Sequence, residues 1–201
     1  MNRTPEVVGD VAALPDHDFG ATTLGWWAVM GFMLIEAMGF VLAIGAYYFL
    51  VHNEHQWPPA APPPLFWATL LTLSALATEV PNLLLVRAAK AQRLWPVRIG
   101  LTLITVLGLA LLVLRGYEMH AMNVRWDQTA YGSIVWALLV LHTVHMATDV
   151  FDSGVLAALS WFKPMDGRRF SDVADNGMYW HFIVWSWVVL YGVIYGTPHW
   201  L

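Results

Sequence analysis

Five stretches of this chain are too apolar and too long to be ordinary surface elements, and they leave few architectures open. They run from about Gly25 to Val51, Leu65 to Val86, Pro96 to Leu114, Tyr131 to Phe151 and Met178 to Thr197. A helix crosses a hydrocarbon core of roughly 30 Å with about 20 apolar residues. At that depth the backbone must satisfy its own hydrogen bonds, and at these span lengths only helices do so. The expectation is an all-α membrane protein, a five-transmembrane-helix bundle. Composition matters here for one reason: 12% of the 201 residues are charged and 58% are hydrophobic. A soluble domain carries about twice that charge, so no separate soluble domain is expected. Residues 1–24, with Glu6, Asp10, Asp16 and Asp18, have no apolar core and read as a surface N-terminal arm rather than a signal peptide. Residues 25–201 then form a single five-helix membrane domain. The Pro-rich link from Trp57 to Pro64 is expected outside the bilayer.

The basic residues give the bundle a direction. Arg3, Arg87, Lys90, Arg93, Arg98, Lys163, Arg168 and Arg169 fall on one side, and only Arg115 and Arg125 on the other. Eight against two places the N-terminus in the cytoplasm and the C-terminus outside under the positive-inside rule. A formal net charge of −4 and the lack of a basic patch give no reason to expect a nucleic-acid partner. With no cysteine, the chain can hold no disulfide, thiolate metal site or Cys-ligated cluster. Trp26, Trp27, Trp67, Trp95, Trp126, Trp180 and Trp200 fall mostly at span ends, where interface anchoring accounts for them.

A charged side chain at a helix centre costs about 2.5–3.5 kcal/mol on insertion scales, so each polar residue inside a span calls for a reason. Glu36 is central in the first span, among Gly31, Gly39 and Gly45, small residues that let helices approach closely. It reads as a proton-path or helix-docking carboxylate. Glu79 sits in a polar break before Pro81, toward the cytoplasmic end of the second span, and is open between a snorkelling or kink-related role and a site. His142, His145, Asp149 and Asp152 follow at offsets of 0, 3, 7 and 10 and share one helical face. His181, near the start of the fifth span, reaches a similar depth. Three readings are open for this group: an interhelical hydrogen-bond network, a His/Asp metal site of an independent membrane metalloenzyme, or a bis-His haem with His181 as the second ligand. Glu118 and His120 lie just past the third span, where an interfacial carboxylate is ordinarily solvated.

The order of these segments resembles subunit III of the haem–copper oxidases, the cytochrome c and quinol oxidases. Asn176-Gly177-Met178-Tyr179-Trp180-His181-Phe182, followed by Trp187, is similar to the family's last-helix signature. Tyr131-Gly132-Ser133 and His142-Thr143-Val144-His145 match its Tyr-Gly-Ser segment and His-x-x-His, Arg115 to Glu118 its outer Glu, and Glu36 its Ser-Glu motif. The chain departs from the pattern at Val184, where the family has Asp, and at Ile35, where it has Ser. The likeness covers about residues 25 to 197 and is to the five-helix form, shared by quinol-type oxidases and by small relatives associated with nitric oxide reductases.

The resemblance implies a non-catalytic subunit with no cofactor and no metal of its own. Haem and copper are expected in the partner subunit I of a terminal oxidase of aerobic electron transport, in a bacterial cytoplasmic membrane. Subunit I, other oxidase subunits and phospholipid are the implied partners, and support of proton uptake and complex stability the implied role. Carried over by position, Glu36 and Glu118 are proton-path or docking residues. His142, His145, Trp180, His181, Phe182 and Trp187 belong to an interhelical or lipid-binding network, which Asp149 joins through its shared face on the fourth span rather than through the resemblance. An accessory membrane protein of a nitric oxide reductase is the alternative within the same family.

Overall fold

A computed structural model describes residues 19–21, 23–53, 57–58 and 61–200. Most of the surface arm at 1–24 lies outside the described residues, as does part of the Pro-rich link. The described chain is helical, with α1 at Leu24–Asn53, α2 at Leu65–Lys90, α3 at Leu94–His120, α4 at Ala130–Phe162 and α5 at Gly167–Tyr191. A five-residue π-helix, Gly192–Gly196, and a last turn, α6 at Thr197–Trp200, continue α5. Among the described residues five helices are long and apolar enough to cross a membrane, the fifth counted from Gly167 to His199. The chain is a multi-pass membrane protein.

The apolar runs mark the spans but understate the helices. α4 continues past Phe151 to Phe162, and α5 starts at Gly167 rather than Met178. The α5 start is set by a cap, not by hydropathy: the Asp166 side chain accepts from the Arg169 backbone N–H. At 33 residues α4 is about 50 Å long, so its ends project beyond the hydrocarbon core. α3 runs on to His120, which brings Arg115 and Glu118 inside the helix, both buried. The expectation of a solvated Glu118 is therefore corrected, and the reason is an arginine three residues earlier on the same face.

Helices α2, α3, α4 and α5 form the packed body, with α2 against α3 and α5, and α4 against α3 and α5. α1 leans on α4 and α5 and buries only Glu36, Phe40 and Tyr47. The glycines that matter are not those beside Glu36. A Cβ at Gly31, Gly39 or Gly45 would meet nothing within 4 Å, so the close approach expected there is absent. Among the tight positions between helices are Gly108, where a Cβ would strike Val150 and the Trp180 ring, and Gly177, where it would strike Val86 and Asn82. Trp180 is accordingly core rather than interface anchor. It is buried, and its Nε1–H donates to Thr78 Oγ1 at 2.9 Å.

Candidate functional site

Two buried polar networks occupy the two halves of the bundle, and the histidines of α4 divide between them. Toward the α3 C-terminus, Arg115 is 1% exposed and donates through Nη1 to Glu118 Oε2. Its Nη2 lies 3.1 Å from His142 Nδ1, and His142 Nε2 lies 3.0 Å from the Ile183 carbonyl. A carbonyl only accepts, so Nε2 carries the hydrogen and Nδ1 receives the arginine. That fixes the imidazole tautomer. The guanidinium rests 3.7 Å over the Trp187 ring, and Trp187 Nε1–H donates to Thr72 Oγ1 at 2.9 Å. Glu118 Oε1 accepts from the Tyr195 hydroxyl at 2.6 Å. Tyr195 comes from the π-helix, a rare widened turn of the kind often found at functional sites.

The second network centres on Glu36. Its carboxylate accepts from the Tyr179 hydroxyl at 2.8 and 2.7 Å, and its Oε1 is 3.1 Å from His145 Nε2. Phe40 sets its ring edge against His145, with centroids 5.1 Å apart. Tyr179 stacks on Phe182 at 6.1 Å. One turn along α4, Asp149 Oδ1 accepts from Asn176 Nδ2 at 2.9 Å, and Asp152 Oδ2 from the same nitrogen at 3.3 Å. The Ser153 hydroxyl donates to Asn176 Oδ1 at 3.0 Å. Asn176 thus ties α5 to three side chains of α4. Asp149 Oδ2 and His145 Nδ1 are buried without a hydrogen-bond partner. Beside them a cleft of about 830 Å³ opens between α1, α4 and α5, lined by Phe32, Glu36, His145, Asp149, Asp152 and Tyr179 among others.

His181 is not with this group. Its Nδ1 is 2.5 Å from Glu79 Oε2 on the outer face of α2 and α5, and its side chain is 53% exposed. The expected convergence of His142, His145, Asp149 and His181 is therefore corrected. Residues at offsets 0 and 3 on α4 diverge enough for His142 to face α3 and His145 to face α1. Because α5 starts a full eleven residues earlier than hydropathy suggests, His181 also lies deeper along its helix than expected. No group of three or more His, Asp or Glu among the described residues is placed to hold a metal ion. Both ring nitrogens of His142 are engaged, so a haem iron there would have to displace an arginine or a backbone carbonyl.

Tyr195 escaped the sequence reading, and Tyr179 and Asn176 entered it only within the last-helix signature, with no role of their own. Tyrosine and asparagine are common at helix ends in membranes and carry no charge to flag them. In the sequence Arg115 reads only as an outer basic residue and Glu118 as an interfacial carboxylate, because both fall past the apolar run that ends at Leu114; their i, i+3 pairing emerges once α3 continues to His120.

No protein-family model matches the chain. Two bacterial proteins are similar to it along most of its length. Cytochrome c oxidase subunit 3 of Alkalihalophilus pseudofirmus is 26% identical over 196 residues, covering 90% of this chain and 92% of that protein. Probable cytochrome c oxidase subunit 3 of Mycobacterium leprae is 25% identical over 167 residues, covering 81% and 83%.

Proposed function

We propose that the chain is a subunit III of a terminal haem–copper respiratory oxidase in a bacterial cytoplasmic membrane, without a redox centre of its own. The observation that carries this reading is the similarity to two proteins named as subunit 3, spread over 81–90% of the chain rather than confined to one motif. The chemistry of the bundle supports it. Arg115, Glu118, His142 and Tyr195 pair with one another, as do Glu36, His145 and Tyr179, which suits docking and proton handling better than substrate turnover.

In this reading the chain packs on the haem-bearing subunit I. The cleft between α1, α4 and α5 takes phospholipid: its apolar wall, with Phe32 and Leu156, suits an acyl chain. Glu36, at the inner wall of the cleft, conditions proton supply to the partner. The N-terminus is cytoplasmic. Of the two basic residues on the outer side, Arg115 is buried against Glu118. Arg125 pairs with Asp127 at 2.8 Å, and that hydrogen-bonded guanidinium holds the Asp127 carboxyl below the usual carboxylate range.

Purification from a mild-detergent extract tests the reading. A haem-bearing oxidase subunit is expected to copurify in equal amount. Copurification with a nitric oxide reductase would favour the accessory role instead. A stoichiometric metal on the isolated chain, lost in His145→Ala, would overturn both. Within an assembled oxidase, Glu36→Gln is expected to leave assembly intact and to change proton uptake or the rate of inactivation during turnover. If both are unchanged, Glu36 has only a packing role.

A further inference from the structure

Arg98, on the seam where α3 begins and α4 ends, is gripped on one edge and open on the other. It lies four residues after Leu94, the first residue of α3, and so about 6 Å along the helix axis. At 27 residues α3 is about 40 Å long, against roughly 30 Å for the hydrocarbon core. With α3 centred in the bilayer, Arg98 stands where acyl chains meet headgroups. Its Nε–H donates to the Ser160 carbonyl of α4 at 2.7 Å. Two indoles flank the guanidinium, whose Cζ is 5.5 Å from the centre of the Trp95 ring and 5.2 Å from that of Trp161. The rings meet edge to face at 6.0 Å, and Trp161 is tied to α3 through Nε1–H to Thr102 Oγ1 at 3.2 Å. The Nη nitrogens, by contrast, have no acceptor among the described residues. Neither Arg98 nor the exposed Lys163, two residues past Trp161, makes an ion pair there. Arg98 is only half-buried, so this fork of donors is accessible, and its planar geometry matches two oxygens of a phosphate. From the same point an exposed stripe, Trp95, Ile99, Leu103 and Val106, runs along α3 at helical spacing toward the middle of the span.

We propose that the α3/α4 seam at Trp95, Arg98 and Trp161 binds a net-anionic phospholipid. The Arg98 Nη groups take the phosphate oxygens, and an acyl chain lies along Ile99, Leu103 and Val106. Charge selects the lipid class. A headgroup with an ammonium would bring it beside Arg98 and Lys163, where no carboxylate pairs with either cation, whereas a net negative headgroup is attracted by both. The cleft between α1, α4 and α5 has the opposite character: Glu36, Asp149, Asp152, Asp172 and Asp175 line it, and no Lys or Arg does. A negative headgroup is therefore disfavoured in the cleft and favoured at Arg98. This inference needs only a chain that spans a membrane and does not depend on the complex to which it belongs.

Native mass spectrometry of the full chain, purified in neutral detergent with whatever subunits accompany it and titrated with lipid, tests the site. Dioleoylphosphatidylglycerol is expected to bind about fivefold to tenfold more tightly than dioleoylphosphatidylcholine, the preference that one or two basic residues confer at a membrane surface. Arg98→Gln should abolish that preference and leave phosphatidylcholine binding unchanged. Arg98→Lys keeps the charge and loses the fork, so it should weaken phosphatidylglycerol binding about threefold. This milder variant carries the test where Arg98→Gln does not fold. Equal affinity for the two lipids in the unsubstituted chain overturns the proposal, as does a preference that survives Arg98→Gln. Full affinity in Arg98→Lys overturns the two-oxygen contact on which it stands. Inorganic phosphate that displaces the lipid at equal concentration identifies a site for free phosphate and overturns the lipid. Phosphatidylglycerol bound by the separated chain but excluded from the complex assigns Arg98 to a partner's carboxylate, and likewise overturns it.

Discussion

At the scale of single residues, the most consequential group is Arg115, a permanent cation buried to 1% exposure in the middle of apolar helices. It is tolerable only because Glu118 balances its charge, His142 accepts from it and Trp187 covers its face. Removing one member leaves the others desolvated and unpaired. Arg115→Met is expected to destabilise the bundle by about 3–5 kcal/mol, as for other broken buried pairs. The double substitution Arg115→Met with Glu118→Leu should recover much of that loss, because it removes both charges. Unfolding in mixed micelles, followed through the twelve tryptophans, measures both. Equal losses in the single and double variants would show that the pair matters through packing alone. Tyr195→Phe removes one donor to the same carboxylate and should cost about 1.5–3 kcal/mol in the same assay.

At the scale of elements, close packing is concentrated at glycines that hydropathy does not mark. Gly177→Val forces α5 away from Val86 and Asn82 on α2, and Gly108→Val forces α3 away from Val150 and Trp180. Each should lower stability by about 1–3 kcal/mol, the usual cost of overpacking. Gly31→Ala, with open space beside it, should be neutral. The same micelle unfolding assay separates the three. These elements also show what was legible in the sequence. The five apolar runs located the spans, because membrane insertion depends on summed hydropathy over a whole helix. The ends were misplaced wherever a helix continues as polar residues, as at Gly167–Gly177, since a cap at Asp166 rather than hydropathy decides the start. Glu36, His142, His145 and Asp149 stood out as polar residues in apolar surroundings. Their partition into two networks depends on small angular differences around α4 and on uncharged partners, Tyr179, Tyr195 and Asn176, which periodicity cannot assign.

At the scale of the whole molecule, the charge asymmetry makes a prediction about sidedness. Asn123→Cys, in the loop between α3 and α4, should react with a membrane-impermeant maleimide in intact cells. Ala91→Cys, between α2 and α3, should react only after the membrane is opened. The reverse pattern would invert the orientation proposed from the basic residues. The bundle also has an uneven grip on its parts. α1 buries three residues while α5 buries thirteen, so the helix that carries Glu36 is the one most easily separated from the rest.

That uneven grip has a consequence for biosynthesis. The hydroxyl that satisfies Glu36 belongs to Tyr179, 143 residues further along the chain. At translation rates of 5–20 residues per second, about 7 to 30 seconds pass between the synthesis of the two. Until α4 follows with His145, α1 has none of its α4 and α5 contacts, and until Tyr179 follows the Glu36 carboxyl lacks its hydroxyl donor, so α1 must sit at the translocon or beside a helper helix. The first helix to emerge is therefore among the last to be locked in place. A ribosome stalled between α3 and α4 should leave Glu36 open to a carboxyl-directed reagent that the finished bundle shields.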